Sequence, residues 1–414
     1  MGNCWGKTEK LTAEIVPHDG AKLYPTVRLY GSPKSILAAY IRFALLHKSV
    51  SLDFIPSNET ASERDVVSGS NTDPVTIQVG PEVVSGSRET LLRFIDSRFP
   101  SPSVRSGVKE EEKDETTALM ARLVKLQHKS VTWHMERVVR WGEDLATRGG
   151  KKAMDPTMGS PVMEIKKFGR SYSEVLEVMM EHAKMEETVL FPIFDKADRG
   201  LSKAAKEEHA RDLPIMNGIK EDIKTVGVLN PGSPDYREAL CNLSGRLKLL
   251  QEHCKQHFSE EEVELLPLME ALELSKVQEE RALEQCFDVM QGTHGRLFKY
   301  LLDGLQPIDA MKYLDLINKC RDKDRMESML QMIMKHKLIP LSLFKTSFGI
   351  VIVLTHGTLN TYDRLTKFLL GDLILWDLDQ SSTAALTSLI TSLNNSVGDK
   401  SASSATLRLT TESP

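Results

Sequence analysis

Two segments of this chain repeat one pattern, and that repeat constrains the fold more than any other feature. The first is His182-Ala-Lys-Met-Glu186-Glu187-Thr-Val-Leu190-Phe191-Pro192. The second is His257-Phe-Ser-Glu-Glu261-Glu262-Val-Glu-Leu265-Leu266-Pro267. Both read H-x3-E-E-x2-L-[F/L]-P. Residues i and i+4 of a helix stand one above the other, about 5–6 Å apart at Cβ. Each copy therefore sets an imidazole and a carboxylate on one helical face, where both reach one metal ion or the carboxylate bridges to a second. Glu187 and Glu262 sit one position on, rotated by about 100°, so they flank that face or meet solvent. The pairs Leu190/Phe191 and Leu265/Leu266 cap it with apolar bulk, and a proline ends each helix.

The surroundings suit such a cage. From 117 to about 335 no strand pattern occurs. Helices are expected near 117–147, 170–191, 199–224, 234–269 and 273–304, with a further pair to about 335. The breakers are Gly149-Gly150, Gly200 and Pro231-Gly232-Ser233-Pro234, and 147–162 reads as a loop. Histidines are concentrated here: His128, His134, His182, His209, His253, His257 and His294. Imidazole and carboxylate donors without thiolate suit iron or manganese more than structural zinc. Bridging carboxylates inside a helical bundle are a known way to hold paired iron. The five cysteines are scattered and form no CxxC, which argues against a cysteine zinc site or a disulfide framework and for a reducing compartment. Lys+Arg 53 against Asp+Glu 58 leaves no basic excess, which argues against a general nucleic-acid binder.

On these residues, the block from about 117 to 300 resembles a hemerythrin-like (HHE cation-binding) domain. The resemblance implies an up-down four-helix bundle holding a non-haem diiron centre. It implies the ligand set His128, His182, Glu186, His209, His257 and Glu261, with Glu186 and Glu261 as bridges. His128 is preferred to its competitor His134 because Val131 and Met135 follow it at +3 and +7. Leu213 stands where oxygen-carrying members have a further histidine. Four His with two Glu looks more like the hemerythrin domains of iron-responsive regulatory proteins. His253, one turn before His257, is an alternative fifth nitrogen donor, with a place on the bundle rim favoured. His294, beside Gly292 and Gly295, is expected outside the cage.

The first hundred residues read differently. Thr26–Tyr30, Val50–Ile55, Val75–Val79 and Glu82–Val84 look like strands, the last two joined at Gly80-Pro81. Ile36–Leu46 and Thr90–Phe99 look like helices. The segments Val27 to Ser35, Leu52 to Ile55 and Ser87 to Ile95 are similar to the thioredoxin-like N-terminal domain of glutathione transferases. Ser32 stands where that family activates the glutathione thiol, although a helix N-cap role is favoured here. Ser87-Arg88 stands where the family has Glu-Ser, which weakens any glutathione grip.

The chain begins Met1-Gly2-Asn3-Cys4. Gly2 is an acceptor for myristate and Cys4 for palmitate, with Gly6 in place of the usual Ser or Thr. Two acyl chains are the minimum for stable anchoring; with them the expected place is the cytoplasmic side of a membrane, the plasma membrane in particular, and without them the cytoplasm. No run reaches the ~18 apolar residues of a membrane span.

The expected fold class is multidomain, α/β plus all-α. Its parts are a tail at 1–24, a thioredoxin-like domain at 25–100, a linker at 101–116, the bundle at 117–304, a helical extension at 305–395 and a disordered tail at 396–414. The expected function is iron binding in iron or oxygen sensing or iron homeostasis, with two iron ions or another divalent cation bound and oxygen as a further partner. A binding protein is favoured over an enzyme. The alternatives are a glutathione-dependent transferase or reductase regulated by the bundle, and an interaction scaffold.

Overall fold

The computed structural model describes residues 26–48, 50–57, 74–99, 101–105, 117–153 and 155–334. Gly2, Cys4, the stretch 58–73, the charge run at 106–116 and everything read into residues 335–414 lie outside the described residues.

The first unit runs β1 (Val27–Gly31), α1 (Ile36–His47), β2 (Leu52–Pro56), β3 (Thr76–Val79), β4 (Glu82–Ser85) and α2 (Arg88–Arg98). The sheet order is β2-β1-β3-β4, with β1 parallel to β2 and the other two pairs antiparallel. Gly80 takes φ +59, the left-handed backbone that its two-residue turn asks of that position. Helix α1 is buried along nearly its whole length, from Ala38 to Leu46. An all-round apolar helix needs cover on both sides, so α1 cannot sit on the sheet alone.

Two details correct the sequence reading. Ser35, not Ser32, caps α1, since its side chain accepts from the Ala38 amide. Ser32 lies buried just before the helix, and its Oγ accepts from the Lys34 amide at 3.3 Å. The linker also begins later than expected. Asp96 of α2 gathers residues 103–105 by accepting from the Ser103 hydroxyl and from the amides of Val104 and Arg105, at 2.9–3.1 Å. The buried Lys48 ammonium reaches the same carboxylate at 2.6 Å and holds it below its ordinary range against burial.

The helical part has four long elements among the described residues: α3 (Leu119–Arg148), α4 (Pro161–Met185), α6 (Lys203–Val228) and α7 (Pro234–Glu260), with a short α5 (Phe191–Ala197) between α4 and α6. They pack as a ring, α3 on α4, α4 on α6, α6 on α7 and α7 on α3. Helix α3 stops at Gly149, which adopts φ +55. Ser160 and Ser233 cap α4 and α7, each followed by proline in the first turn. The loop before α4 is thus shorter than 147–162, and α4 starts well before 170.

After α8 (Leu268–Ala271), the helix expected over 273–304 is broken into α9 (Lys276–Val289), α10 (Gln291–His294) and α11 (Phe298–Asp303). Glu181 of α4 explains the break. Its carboxylate accepts from the Gly292 and Thr293 amides at 3.0 and 2.7 Å. A Cβ on Gly292 would stand 2.7 Å from the Glu177 and Glu181 oxygens, so a larger residue there would have to push these carboxylates aside. Helices α12 (Pro307–Ile317) and α13 (Lys323–Met334) then supply the cover that α1 needs. Arg42 of α1 donates to the Ile333 carbonyl at 2.9 Å, and Arg88 pairs with Asp315 while stacking on Tyr40. Among the described residues, no helix is long and apolar enough to cross a membrane.

Candidate metal centre

Six residues chosen from the sequence meet inside the ring. His128 comes from the first third of α3, and His182 from the last turn of α4 with Glu186 just after it. His209 lies early in α6, and His257 is in the last turn of α7 with Glu261 just after it. Starts of α3 and α6 thus meet ends of α4 and α7. One ligand atom from each of His128, His182, Glu186 and Glu261 lies within 4.8 Å of the others, and the same holds for Glu186, His209 and His257. Glu186 belongs to both groups.

Each carboxylate is placed by the same local device. Glu186–Leu190 and Glu261–Leu265 are single π-helical turns that interrupt the helix directly after the histidine's turn. The Phe191 and Leu266 amides bond back five residues, to the carbonyls of Glu186 and Glu261. Pro192 and Pro267 follow immediately. Lacking an N–H, each removes a bond from the α ladder and lets the preceding turn widen. This corrects the expectation that the prolines end the helices, since Pro192 lies in the first turn of α5 and Pro267 caps α8.

The outer nitrogen of every cage histidine is held by the next helix round the ring. His128 Nδ1 donates to Glu262 Oε1 at 2.9 Å, and His182 Nδ1 to Gln127 Oε1 at 2.8 Å. His209 Nδ1 donates to Glu187 Oε1 at 2.9 Å, and His257 Nδ1 to Glu208 Oε2 at 2.7 Å. A carboxylate or amide oxygen at Nδ1 leaves a neutral imidazole with a bare Nε2, the arrangement that orients histidine for a metal. Glu187 and Glu262 flank the site, as their rotation implied. Gln127 and Glu208 were not foreseen. Their only trace in the sequence is that each directly precedes a cage histidine, yet each serves the histidine of another helix.

The inner nitrogens of His209 and His257 meet each other, Nε2 to Nε2 at 3.1 Å; the other inner atoms have no partner. His128 Nε2, His182 Nε2 and both oxygens of Glu186 and Glu261 are buried without a hydrogen bond. His182 Nε2 is 3.0 Å from Glu186 Oε1, and His128 Nε2 is 3.4 Å from Glu261 Oε2, but neither pair has hydrogen-bond geometry. They converge on common points rather than on one another. Buried carboxylates without partners are costly, and a cation between them removes that cost. The donor set of nitrogen and oxygen fits iron or manganese.

Electrostatics agree. In the metal-free protein burial opposes a charged His128, but Glu186, Glu261 and Glu262 outweigh it and hold the ring up to about 10. His209 is held up to about 9 against burial by Glu186 and Glu187. Burial and the neighbouring Glu186 push Glu261 up to about 7. Glu186 stays well below the ordinary range, since His182, His128 and His209 outweigh its burial. Protons therefore occupy the positive role that an ion would take.

Residues 119–269 match the Hemerythrin HHE cation binding domain family. The match spans both copies of the repeat and all six converging residues. No curated protein and no solved structure matches the chain. The other histidines of the helical region stand apart from the cage. His134 stacks on Tyr300 and bonds its carbonyl at 2.7 Å, and burial pushes the ring down to about 3. His253 pairs with Asp212 at 2.8 Å on the rim. His294 lies beyond α4, among α9–α12.

Ser32 and Ser87-Arg88 form no comparable site. Ser87 caps α2 by accepting from Thr90, and Arg88 is committed to Asp315. Ser32→Ala should cost about 1 kcal/mol for one buried hydrogen bond, read from denaturant unfolding. A glutathione-conjugating activity lost in that variant would instead assign Ser32 a chemical role.

Proposed function

We propose that residues 117–304 form an up-down four-helix bundle of hemerythrin type that binds a pair of iron ions. His128, His182 and Glu261 would hold one ion and His209 and His257 the other, with Glu186 within reach of both. The supporting observation is the closed ring of Nδ1 hydrogen bonds around the inward atoms of His128, His182, Glu186 and Glu261, which have no hydrogen-bond partners. A bound iron pair supplies oxygen-responsive and redox chemistry, which suits iron or oxygen sensing or iron homeostasis rather than catalysis on an organic substrate. The test is iron per chain after anaerobic reconstitution with ferrous ion. About two per chain supports the reading, and none sinks it.

The sheet order and its single parallel pair support a thioredoxin-like reading of the first unit. Arg88 and the packing of α12 on α1 favour a docking role over glutathione chemistry there. Attachment to a membrane rests on Gly2 and Cys4 alone. Gly2→Ala should move the protein from membrane to soluble fractions, and Cys4→Ser should leave weak, reversible binding. A wild type already wholly soluble in its native cell contradicts the anchor.

A further inference from the structure

Three of the four cage histidines have a carboxylate at Nδ1, and a carboxylate only accepts. It fixes the tautomer without help. His182 is the exception, because its partner is the amide of Gln127. An amide can present either end. With the oxygen toward His182, Nδ1 carries the proton and Nε2 is bare. With the nitrogen toward it, the proton moves to Nε2 and blocks the metal side. Something must hold the amide the right way round.

A buried chain of hydrogen bonds decides it, and its direction can be read from the far end. His294 Nδ1 lies 3.0 Å from the Met290 carbonyl, which only accepts, so Nδ1 carries the hydrogen. Burial pushes this ring down to about 3, so it is neutral and Nε2 is bare. Nε2 therefore accepts from the Tyr313 hydroxyl at 2.7 Å. The hydroxyl oxygen has spent its proton and can only accept from Gln127, at 3.3 Å. The second amide hydrogen goes to Met290 Sδ at 3.2 Å. The Gln127 oxygen is left facing His182. Gln127 and Tyr313 are fully buried and His294 is nearly so, so water does not compete for these groups.

We propose that Tyr313 of α12 is a positioning residue for the metal centre: acting through Gln127, it holds His182 as the Nδ1–H tautomer with Nε2 open to the ion. This rests on the metal-binding reading. The thioether of Met290 is a weak acceptor and biases the amide little by itself.

Tyr313→Phe removes only the deciding hydroxyl. Tyr300→Phe is the matched control, because the Tyr300 hydroxyl is also buried but has no hydrogen-bond partner. Histidine-labelled protein, metal-free and zinc-loaded, is examined by nitrogen NMR for the tautomer of each ring. Affinity for ferrous ion is measured anaerobically by chelator competition. In the wild type and in Tyr300→Phe, His182 should be pure Nδ1–H. In Tyr313→Phe it should show mixed tautomers, and affinity at one of the two ions should fall about 10–100-fold, the usual effect of losing an outer partner of a ligand. Adding Gln127→Glu to Tyr313→Phe should restore the pure Nδ1–H tautomer, since a carboxylate needs no orienting. An Nε2–H His182 in the wild type overturns the proposal even if Tyr313→Phe does not fold. So does a Tyr313→Phe protein with wild-type tautomer and affinity. A wild type that binds no metal sinks the metal-centre reading instead, and the tautomer in the metal-free protein still decides this one.

Discussion

Glu186→Ala should leave the protein with no more than a trace of iron, while Glu187→Gln should retain it. Glu186 belongs to both converging groups, so its removal takes a ligand from each ion at once. It also leaves His128, His182 and His209 without the carboxylate that their inner nitrogens share. Glu261 belongs to the first group only, with His257 Nε2 3.9 Å from its Oε2. Glu261→Ala should therefore release one ion more readily than the other. Glu187 and Glu262 stand outside, each accepting from a histidine Nδ1. Both places are open to water, which can meet the amide hydrogens as it cannot for buried Gln127, so glutamine at either can turn its oxygen to the histidine and should keep the metal. Alanine there removes the acceptor and should weaken binding about 10–100-fold. The measurement is iron per chain across the series, and equal iron in all of the variants would contradict the geometry.

The metal-free protein should lose stability as pH rises from about 6.5 to 10, and the metal-loaded protein should not. His128 and His209 are raised above the ordinary histidine value, to about 10 and about 9. A raised histidine stabilises the fold fully below its unfolded pKa, and that contribution disappears as pH climbs through the folded value. Glu261, pushed up to about 7, adds a cost in the same direction once it ionises against Glu186. Together these amount to a loss on the order of a few kcal/mol across the window. Below pH 4.5 the sign reverses for Glu186, whose lowered value means stability is lost as it protonates. A metal ion replaces the protons on His128 and His209, so loading should release protons near neutral pH and flatten the alkaline limb. Denaturant unfolding at several pH values, with and without bound metal, checks this. An alkaline limb unchanged by metal would mean that the ion does not sit among these histidines.

Much of the architecture was legible because it depends on periodicity within one segment. The strand and helix order of the first unit follows from alternation in Val50–Ile55 and from the apolar run at Ile36–Leu46. The repeat marked His182, Glu186, His257 and Glu261 because i and i+4 neighbour each other on any helix, whatever surrounds it. Glu187 and Glu262 were placed on the flank by the same rotation. The choice of His128 over His134 came from the family resemblance, whose first-helix histidine is followed by apolar residues at +3 and +7.

What the tertiary structure decided is everything that passes between helices. Spacing along one helix says nothing of how far that helix is turned about its axis against its neighbour. Gln127 and Glu208 therefore could not be assigned to His182 and His257, although each stands next to a cage histidine in the chain. The π turns at Glu186 and Glu261 depend on a widened ladder that an H-x3-E spacing does not distinguish from α. Ser35 rather than Ser32 caps α1, because the helix begins at Ile36, where the apolar run itself begins. The break at Met290–Gly295 comes from Glu181, more than a hundred residues earlier. Tyr313, the least expected participant, reaches the centre only because α12 packs between α1 and α3, a contact that no local pattern encodes.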